Sequence, residues 1–480
     1  MYVRHVGIWL GPIVFGVFWL ISSLGLLELT DGMKVMALAA WMVIWWVSEA
    51  VPIPVTALLP IVIFPLMGIF DMKGATLPYA DPVIYLFMGG FIIALAMEKN
   101  KLHQRIALNL IRVTGTKANG IIGGFYLATA FLSMWISNTA TAVMMLPIAM
   151  SIVQLILAAN RDMVHHQGFV HFSFTLMLGI AYAANIGGVI TLIGTPPNVV
   201  LVGLMQQFYG VSLDFNRWLL IGLPVGGVML LIMYVFLVRV LYPNRLGQIA
   251  GSDQVIQDQL RDLGPISKAE VRVSLVLVGT ALCWILREPL NLLFQTNLLN
   301  DTIIAMTGGI CMFLVPAGVG TDAKLLDWKS MKELPWGILL LFGGGMSLAK
   351  GMEAAGIIQA IGAYVAGTST ISLAWLILGL ILVCLFLTEL MSNVALVTIF
   401  LPVVFGIADG MGEEVLPFVI PITMASSFAF MLPISTPPNA ILFSSGLISI
   451  KEMMKVGIWL NLVAVLVLWL VSLSLVRWVF

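Results

Sequence analysis

Charge is what this sequence has least of. Only 10% of its 480 residues are Asp, Glu, Lys or Arg, where a soluble globular domain carries roughly 25%. With 60% hydrophobic residues there is too little polar surface to coat a water-soluble body, so the chain is read as an integral membrane protein whose solvent is the lipid bilayer. The 23 basic and 23 acidic side chains cancel. That leaves no global field for a polyanion, and nucleic acid is not expected as a partner. Cysteine is scarce too: Cys283, Cys311 and Cys384 lie far apart in apolar stretches, so neither a disulfide framework nor a C-x-x-C metal site follows. No G-x-S-x-G elbow, H-E-x-x-H or membrane Asp pair occurs, which argues against a membrane-embedded hydrolase and for a protein that is not an enzyme. His165, His166 and His171 resemble a metal cluster, but they fall in a short loop and are read as solvated surface.

Apolar runs fill the chain. The first, from about Val6 to Leu27, follows Arg4 and His5, is long enough to cross roughly 30 Å of hydrocarbon and has no small-residue cleavage site after it. It is expected to be a retained span. Further segments lie near 35–47, 54–70, 82–98, 218–242, 270–286, 302–317, 335–349 and 456–478, most of one-span length. Four others, 120–158, 170–210, 367–408 and 416–448, are too long, and each has a polar cluster near its middle. A bilayer tolerates such an interruption only where the non-helical backbone is buried in protein or lines a wet cavity, and transporters put their sites there.

Basic loops stay cytoplasmic. A cytoplasmic N-terminus puts most of the 23 basic residues inside, among them Lys99, Arg105, Lys117, Arg161, Arg245 and Lys268, provided 120–158 and 367–408 are re-entrant hairpins. The C-terminus then lies outside, and the polar stretch 243–268 is a cytoplasmic connector. Ser267 and Glu270 have capping-box spacing and predict a helix start.

The two halves of the chain match. Phe87-Met88-Gly89-Gly90 aligns with Phe342-Gly343-Gly344-Gly345, Met97-Glu98 with Met352-Glu353, Ser137-Asn138 with Ser392-Asn393 and Leu146-Pro147 with Leu401-Pro402, all 255 positions apart (87 to 342). Thr195-Pro196-Pro197-Asn198 recurs as Thr436-Pro437-Pro438-Asn439, 241 positions on (195 to 436). The first copy begins outside and the second inside, which is the inverted-repeat plan of secondary transporters. The expected organisation is scaffold spans over 1–80, a first repeat over 81–242, the connector 243–268, further scaffold spans over 269–334, and a second repeat with the last span over 335–480. The double and triple glycines are read as close-packing surfaces rather than phosphate loops, having no P-loop lysine.

In each half a Ser-Asn pair interrupts one long apolar segment and Thr-Pro-Pro-Asn the next. Proline lacks an N–H and disfavours helix in the residue before it, so that motif must break its helix and free carbonyls at one half-helix end and N–H donors at the other. Freed carbonyls suit Na⁺, half-helix N-termini suit an anion, and Ser, Asn and Thr add neutral donors and acceptors. No Lys, Arg or His stands at any of the four interruptions. A bound anion there lacks a fixed countercharge, so a co-bound cation is its natural neutraliser and cation-coupled anion transport is the leading function. An ion channel is the rival class, but inverted repeats broken at the midplane suit alternating access better than a fixed pore. Glu49, Glu98 and Glu353, near span ends, are expected to pair at the interface; Glu389, within a hairpin arm, stays open between structural and functional roles.

These motifs resemble the divalent anion:sodium symporter family of dicarboxylate, citrate and sulfate carriers. The resemblance runs over nearly the whole chain, through Trp45 to Pro52, Tyr85 to His103, Ser137 to Thr141, Asn185 to Gly188, Gly194 to Asn198, and Phe430 to Pro433 leading into Thr436 to Asn439. It implies an all-α polytopic fold with two re-entrant hairpins and two broken transmembrane helices, and a homodimer in the cell membrane working by an elevator motion. By similarity, one Na⁺ site forms from Ser133, Ser137, Asn138 and the backbone at Gly194. Its counterpart forms from Thr388, the backbone at Met391, Asn393 and the region of Ser435. Substrate contacts map onto Asn138, Thr139, Asn393 and Thr436, with Thr195 and Pro437 close by. Where the first tip has Thr139, the second has Val394, and the missing hydroxyl bears on substrate identity. The expected function is sodium-coupled symport of a small divalent anion, a C4-dicarboxylate such as succinate, malate or fumarate, with a sodium-independent exchanger or a citrate or sulfate carrier as alternatives.

Overall fold

The structure, a computed structural model, describes residues 2–23, 30–159, 166–296, 298–318, 323–368 and 372–480. His165 and Arg161 lie outside them. Among the described residues there is no β-strand, only two isolated bridges, and the fold is all-helical as expected. Among the described residues six helices are long and apolar enough to cross a membrane, or up to eight if each of two bent pairs counts as one span.

The repeat is visible element by element. Pro82–Lys99, Leu102–Val113, Ala118–Ser133 and Asn138–Ala159 recur as Trp336–Ala354, Ile357–Thr368, Leu373–Leu387 and Asn393–Met411. The broken pair Gln167–Ile190 and Pro196–Tyr209 recurs as Leu416–Ser427 and Pro437–Phe443, and Phe215–Val235 as Ile450–Val471, each of the last two running on into a π-helical turn. Leu102–Val113 and Ile357–Thr368 were not foreseen as separate helices. Leu102, Ala107, Leu108 and Ile111 give the first of them a buried face, while Arg112 and Val113 are exposed, the pattern of a helix lying along an interface.

The segments 120–158 and 367–408 are hairpins, as expected. At the foot of the first, Ala118 N–H donates to Gly247 O (2.8 Å). Its return arm meets the same connector, with Gln259 Nε2 3.4 Å from Ser151 Oγ, and the next helix begins there, with His171 Nδ1 3.0 Å from Pro243 O. The second hairpin is rooted at Ala374, whose carbonyl accepts from Trp469 Nε1 (2.7 Å), and at Asp409, which accepts from Tyr209 O–H (2.9 Å). Gln167–Ile190 and Pro196–Tyr209 together connect the two roots, 24 and 14 residues in series. The hairpins therefore enter from opposite faces and meet tip to tip near the helix breaks.

The segment near 54–70 is not one continuous span. Pro52, Pro54, Pro60 and Pro65 each remove a backbone donor, and the stretch divides into Ile53–Thr56 and Leu59–Met67. The glycine pairs do mark close packing: a Cβ on Gly89 would lie 2.5 Å from the Ala305 carbonyl carbon, so only glycine lets Pro82–Lys99 seat against Asp301–Leu314. The capping box forms in full, with Glu270 N–H donating to Ser267 Oγ (3.1 Å) and Ser267 N–H to Glu270 (2.6 Å). Glu270 also accepts from Arg105 Nε (2.5 Å), and Arg105 reaches Gly264 O (3.0 Å), which ties the connector to the foot of the bundle.

Candidate functional site

The tips and breaks enclose a cavity of about 820 Å³. Its polar wall carries Ser137, Asn138, Thr139, Gly194 and Thr195 from the first repeat, and Met391, Ser392, Asn393, Val394, Ser435, Thr436 and Pro437 from the second. Ser133 and Thr388 stand behind this wall, fully buried. The opposite wall is mainly apolar: Trp46, Val47, Ile53, Phe91, Ala94, Leu95 and Ile338. Among the described residues Lys, Arg and His are absent from the lining, whereas Glu49, Glu98 and Glu333 contribute to it.

The first tip is built from backbone as much as from side chains. Ser137 Oγ accepts from Ala140 N–H (3.1 Å), so Ser137 caps the return arm and turns that helix's N-terminus toward the cavity. Thr191 O–H donates to Met134 O (2.6 Å), tying the break to the tip. A Cβ on Gly194 would lie 2.5 Å from Gly188 O and 2.9 Å from Ser133 O; two carbonyls therefore converge on Gly194. Around them Ser133 Oγ, Asn138 Oδ1 and Asn198 Oδ1 are buried with no hydrogen-bond partner. Buried polar atoms are rarely left unpaired, and a set of unpaired oxygens beside converging carbonyls is the donor chemistry of a hard cation.

The second tip is better satisfied. Thr388 Oγ1 lies 2.7 Å from Asn393 Oδ1 and 2.5 Å from Ser426 O. With the amide in this orientation, one hydroxyl proton serves two oxygen acceptors and leaves one oxygen pair without a proton, a defect that a cation removes. Thr436 Oγ1 accepts from Asn439 N–H (3.4 Å) and from Asn185 Nδ2 (3.1 Å). Thr195 at the equivalent place makes no side-chain cap and lines the cavity.

The profile of the sodium:sulfate symporter transmembrane region matches residues 4–480. The chain belongs to that family. It is 36% identical over 474 residues to the sodium-dependent dicarboxylate transporter SdcS of Staphylococcus saprophyticus, covering 98% of this chain and 91% of that one. Against SdcS of Staphylococcus aureus it is 38% identical over 472 residues, 97% and 90% of the two chains. Among solved structures, the YdaH transporter of Alcanivorax borkumensis aligns with a TM-score of 0.56 at 12% identity, covering 85% of this chain and 86% of that one. MtrF of Neisseria gonorrhoeae gives 0.55 at 12%, covering 85% and 83%. These last two likenesses are of fold alone.

Of the site residues the sequence singled out, all but the buried Ser133 and Thr388 line this one cavity, with two differences from expectation. Thr-Pro-Pro-Asn does not occupy the gap: the unwound stretches precede it, and each motif opens the second half-helix, with its prolines in the first turn where a missing N–H costs nothing. Its asparagines close the gap instead, Asn198 Nδ2 bonding Thr191 O (2.8 Å) and Asn439 Nδ2 bonding Ala429 O (2.9 Å) and Leu432 O (3.1 Å). The interfacial pairing expected for Glu49, Glu98 and Glu353 is absent, since none forms an ion pair with a described residue. Glu49 and Glu98 instead face the cavity. Asn185 was not identified as a site residue; an asparagine inside an otherwise apolar run was its signal. Among the described residues no His, Cys, Asp or Glu group could hold a metal ion.

Proposed function

We propose that this chain is a sodium-coupled symporter of a small divalent organic anion, a C4-dicarboxylate such as succinate, malate or fumarate. The observation that carries the reading is the charge of the cavity. Among the described residues it has no cationic side chain and three carboxylates, so a dianion entering alone would find only neutral donors against the carboxylates' repulsion and a desolvation cost of at least several kcal/mol. Na⁺ held by Ser133, Ser137, Asn138 and the Gly194 backbone, and by Thr388, Asn393, the Met391 backbone and Ser435, supplies the missing positive charge. The curated relatives named as sodium-dependent dicarboxylate transporters support the same assignment.

In this reading the substrate carboxylates rest on Asn138, Thr139, Asn393 and Thr436, with Thr195 and Pro437 beside them. Val394, buried at the wall, offers methyls to the substrate's carbon chain. A polar wall made of tips and breaks facing a mainly apolar wall favours an elevator, because the polar wall can slide with few hydrogen bonds to break across the gap. The homodimer supplies the stationary scaffold for that movement, with the connector face cytoplasmic. A sodium-independent exchanger needs no cation sites, and the unpaired oxygens behind the first tip weigh against it.

Equilibrium binding of radiolabelled succinate to the purified protein tests this, with NaCl against choline chloride at equal ionic strength. Binding in NaCl alone is the expected result. Equal binding in choline chloride refutes cation coupling.

A further inference from the structure

Glu389 sits at the second tip, next to Thr388, and is almost fully buried. Its carboxylate accepts five hydrogen bonds. Oε1 takes Phe430 N–H (2.7 Å), Met431 N–H (2.9 Å) and Asn461 Nδ2 (2.8 Å). Oε2 takes Leu432 N–H (3.2 Å) and the Ser435 hydroxyl (2.6 Å). Every partner is a donor, the pattern of an ionised carboxylate. Three of the donors are backbone N–H groups freed where the second broken helix unwinds after Ser427, so Glu389 caps the break that shapes the site.

The repeat exposes an asymmetry. The residue 255 positions earlier is Met134, and the first tip is held to its break by a neutral bond, Thr191 O–H to the Met134 carbonyl. The second tip is held by a full negative charge. Ser435 has one hydroxyl proton and two acceptors on Glu389, the carboxylate at 2.6 Å and the backbone carbonyl at 3.1 Å; the nearer, charged oxygen takes it, leaving the lone pairs of Oγ for another partner.

We propose that Glu389 is the positioning residue and fixed countercharge of the second cation site. It acts through Ser435, whose proton it draws away so that the oxygen presents lone pairs to the cation, and through the 430–432 backbone, whose course it fixes. Its charge also lets this site hold a cation before any anion arrives, whereas the neutral first site gains its negative charge only from the substrate. The inference rests on the proposed symport in taking the cation to be Na⁺.

Glu389→Gln is the test. It keeps the shape and one acceptor, but its amide donates to Ser435 Oγ where the carboxylate accepted, so an Oγ lone pair is taken from the cation while the Ser435 proton keeps only the backbone carbonyl of residue 389, at 3.1 Å, as acceptor. In proteoliposomes the Na⁺ concentration for half-maximal succinate uptake should rise roughly tenfold or more, the loss of one charge-assisted bond. Thermal stabilisation of the purified protein by Na⁺ without substrate should disappear, while succinate KM at saturating Na⁺ stays within about threefold of wild type. A wild-type Na⁺ titration in the Gln variant overturns the proposal. If that variant does not fold, Glu389→Asp decides: it keeps the charge but shortens the reach to Ser435, and an unchanged Na⁺ titration overturns the proposal, while a raised one with unchanged succinate KM supports it. Wild-type uptake that ignores Na⁺ would defeat the symport reading itself, independently of either variant.

Discussion

Gly188→Ala separates site geometry from fold stability. Gly188 lies near the end of Gln167–Ile190, and a Cβ built on it would stand 2.5 Å from Asn138 Oδ1, 2.7 Å from Nδ2 and 3.0 Å from Cγ. Ordinary Cβ contacts begin at 3.4 Å, so the amide must retreat by about 0.9 Å, the difference between 3.4 and 2.5 Å, to reach normal packing. The obstacle is the far end of a side chain, which can move, and alanine favours a helix over glycine by about 1 kcal/mol, so stability should hold or rise. The retreat carries Asn138 Oδ1, one of the unpaired oxygens, away from the proposed cation. A lost bond to a charged group is worth roughly 1.5–3 kcal/mol, or about 10- to 150-fold in affinity. The assay is Na⁺-titrated succinate uptake in proteoliposomes beside a thermal melt of the same preparation. A half-maximal Na⁺ concentration within about threefold of wild type would refute the placement of Asn138 at the cation. Gly187→Ala is the contrast: its Cβ would meet the Ala130 backbone at 2.3 and 2.6 Å, and backbone cannot step aside. It should cost about 1–3 kcal/mol of stability and lower the yield of folded protein.

Val394→Thr adds a hydroxyl at the cavity wall and should change the ranking of succinate, malate, citrate and sulfate in competition assays while Na⁺ dependence stays intact; an unchanged ranking would mean that Val394 does not meet the substrate. For topology, a cysteine at exposed Gln254 in the connector, with Cys283, Cys311 and Cys384 replaced, should react with an impermeant maleimide only from the cytoplasmic face. Labelling from outside would invert the topology. Thr388→Val removes the hydroxyl shared by Asn393 Oδ1 and Ser426 O, and should raise the half-maximal Na⁺ concentration roughly tenfold; an unshifted titration would remove Thr388 from the second cation site.

The features legible in the sequence were those written locally. Ser137-Asn138 and Ser392-Asn393 stand out because a polar pair inside an over-long apolar run has few structural solutions, and a fixed offset repeats the pattern. The Gly89 contact was legible for a similar reason, since paired glycines in a span allow close approach. What stayed hidden was written across the chain. Asn185 meets Thr436 over 251 positions and Asn461 meets Glu389 over 72, and neither pairing has a periodicity or spacing that could announce it. Glu389 itself was visible as a charge in an apolar arm. Its meaning depended on which backbone N–H groups the break would free, and that is settled by tertiary packing. The helices Leu102–Val113 and Ile357–Thr368 were missed because short interfacial helices carry no span-length signal.

The central claim is that cations supply the positive charge the cavity lacks, and uptake of radiolabelled succinate into proteoliposomes tests it most directly. An inward Na⁺ gradient should drive accumulation that rises steeply with Na⁺ concentration and falls to background when choline replaces Na⁺. Undiminished uptake in Na⁺-free buffer, with no counter-substrate inside the vesicles, would contradict it.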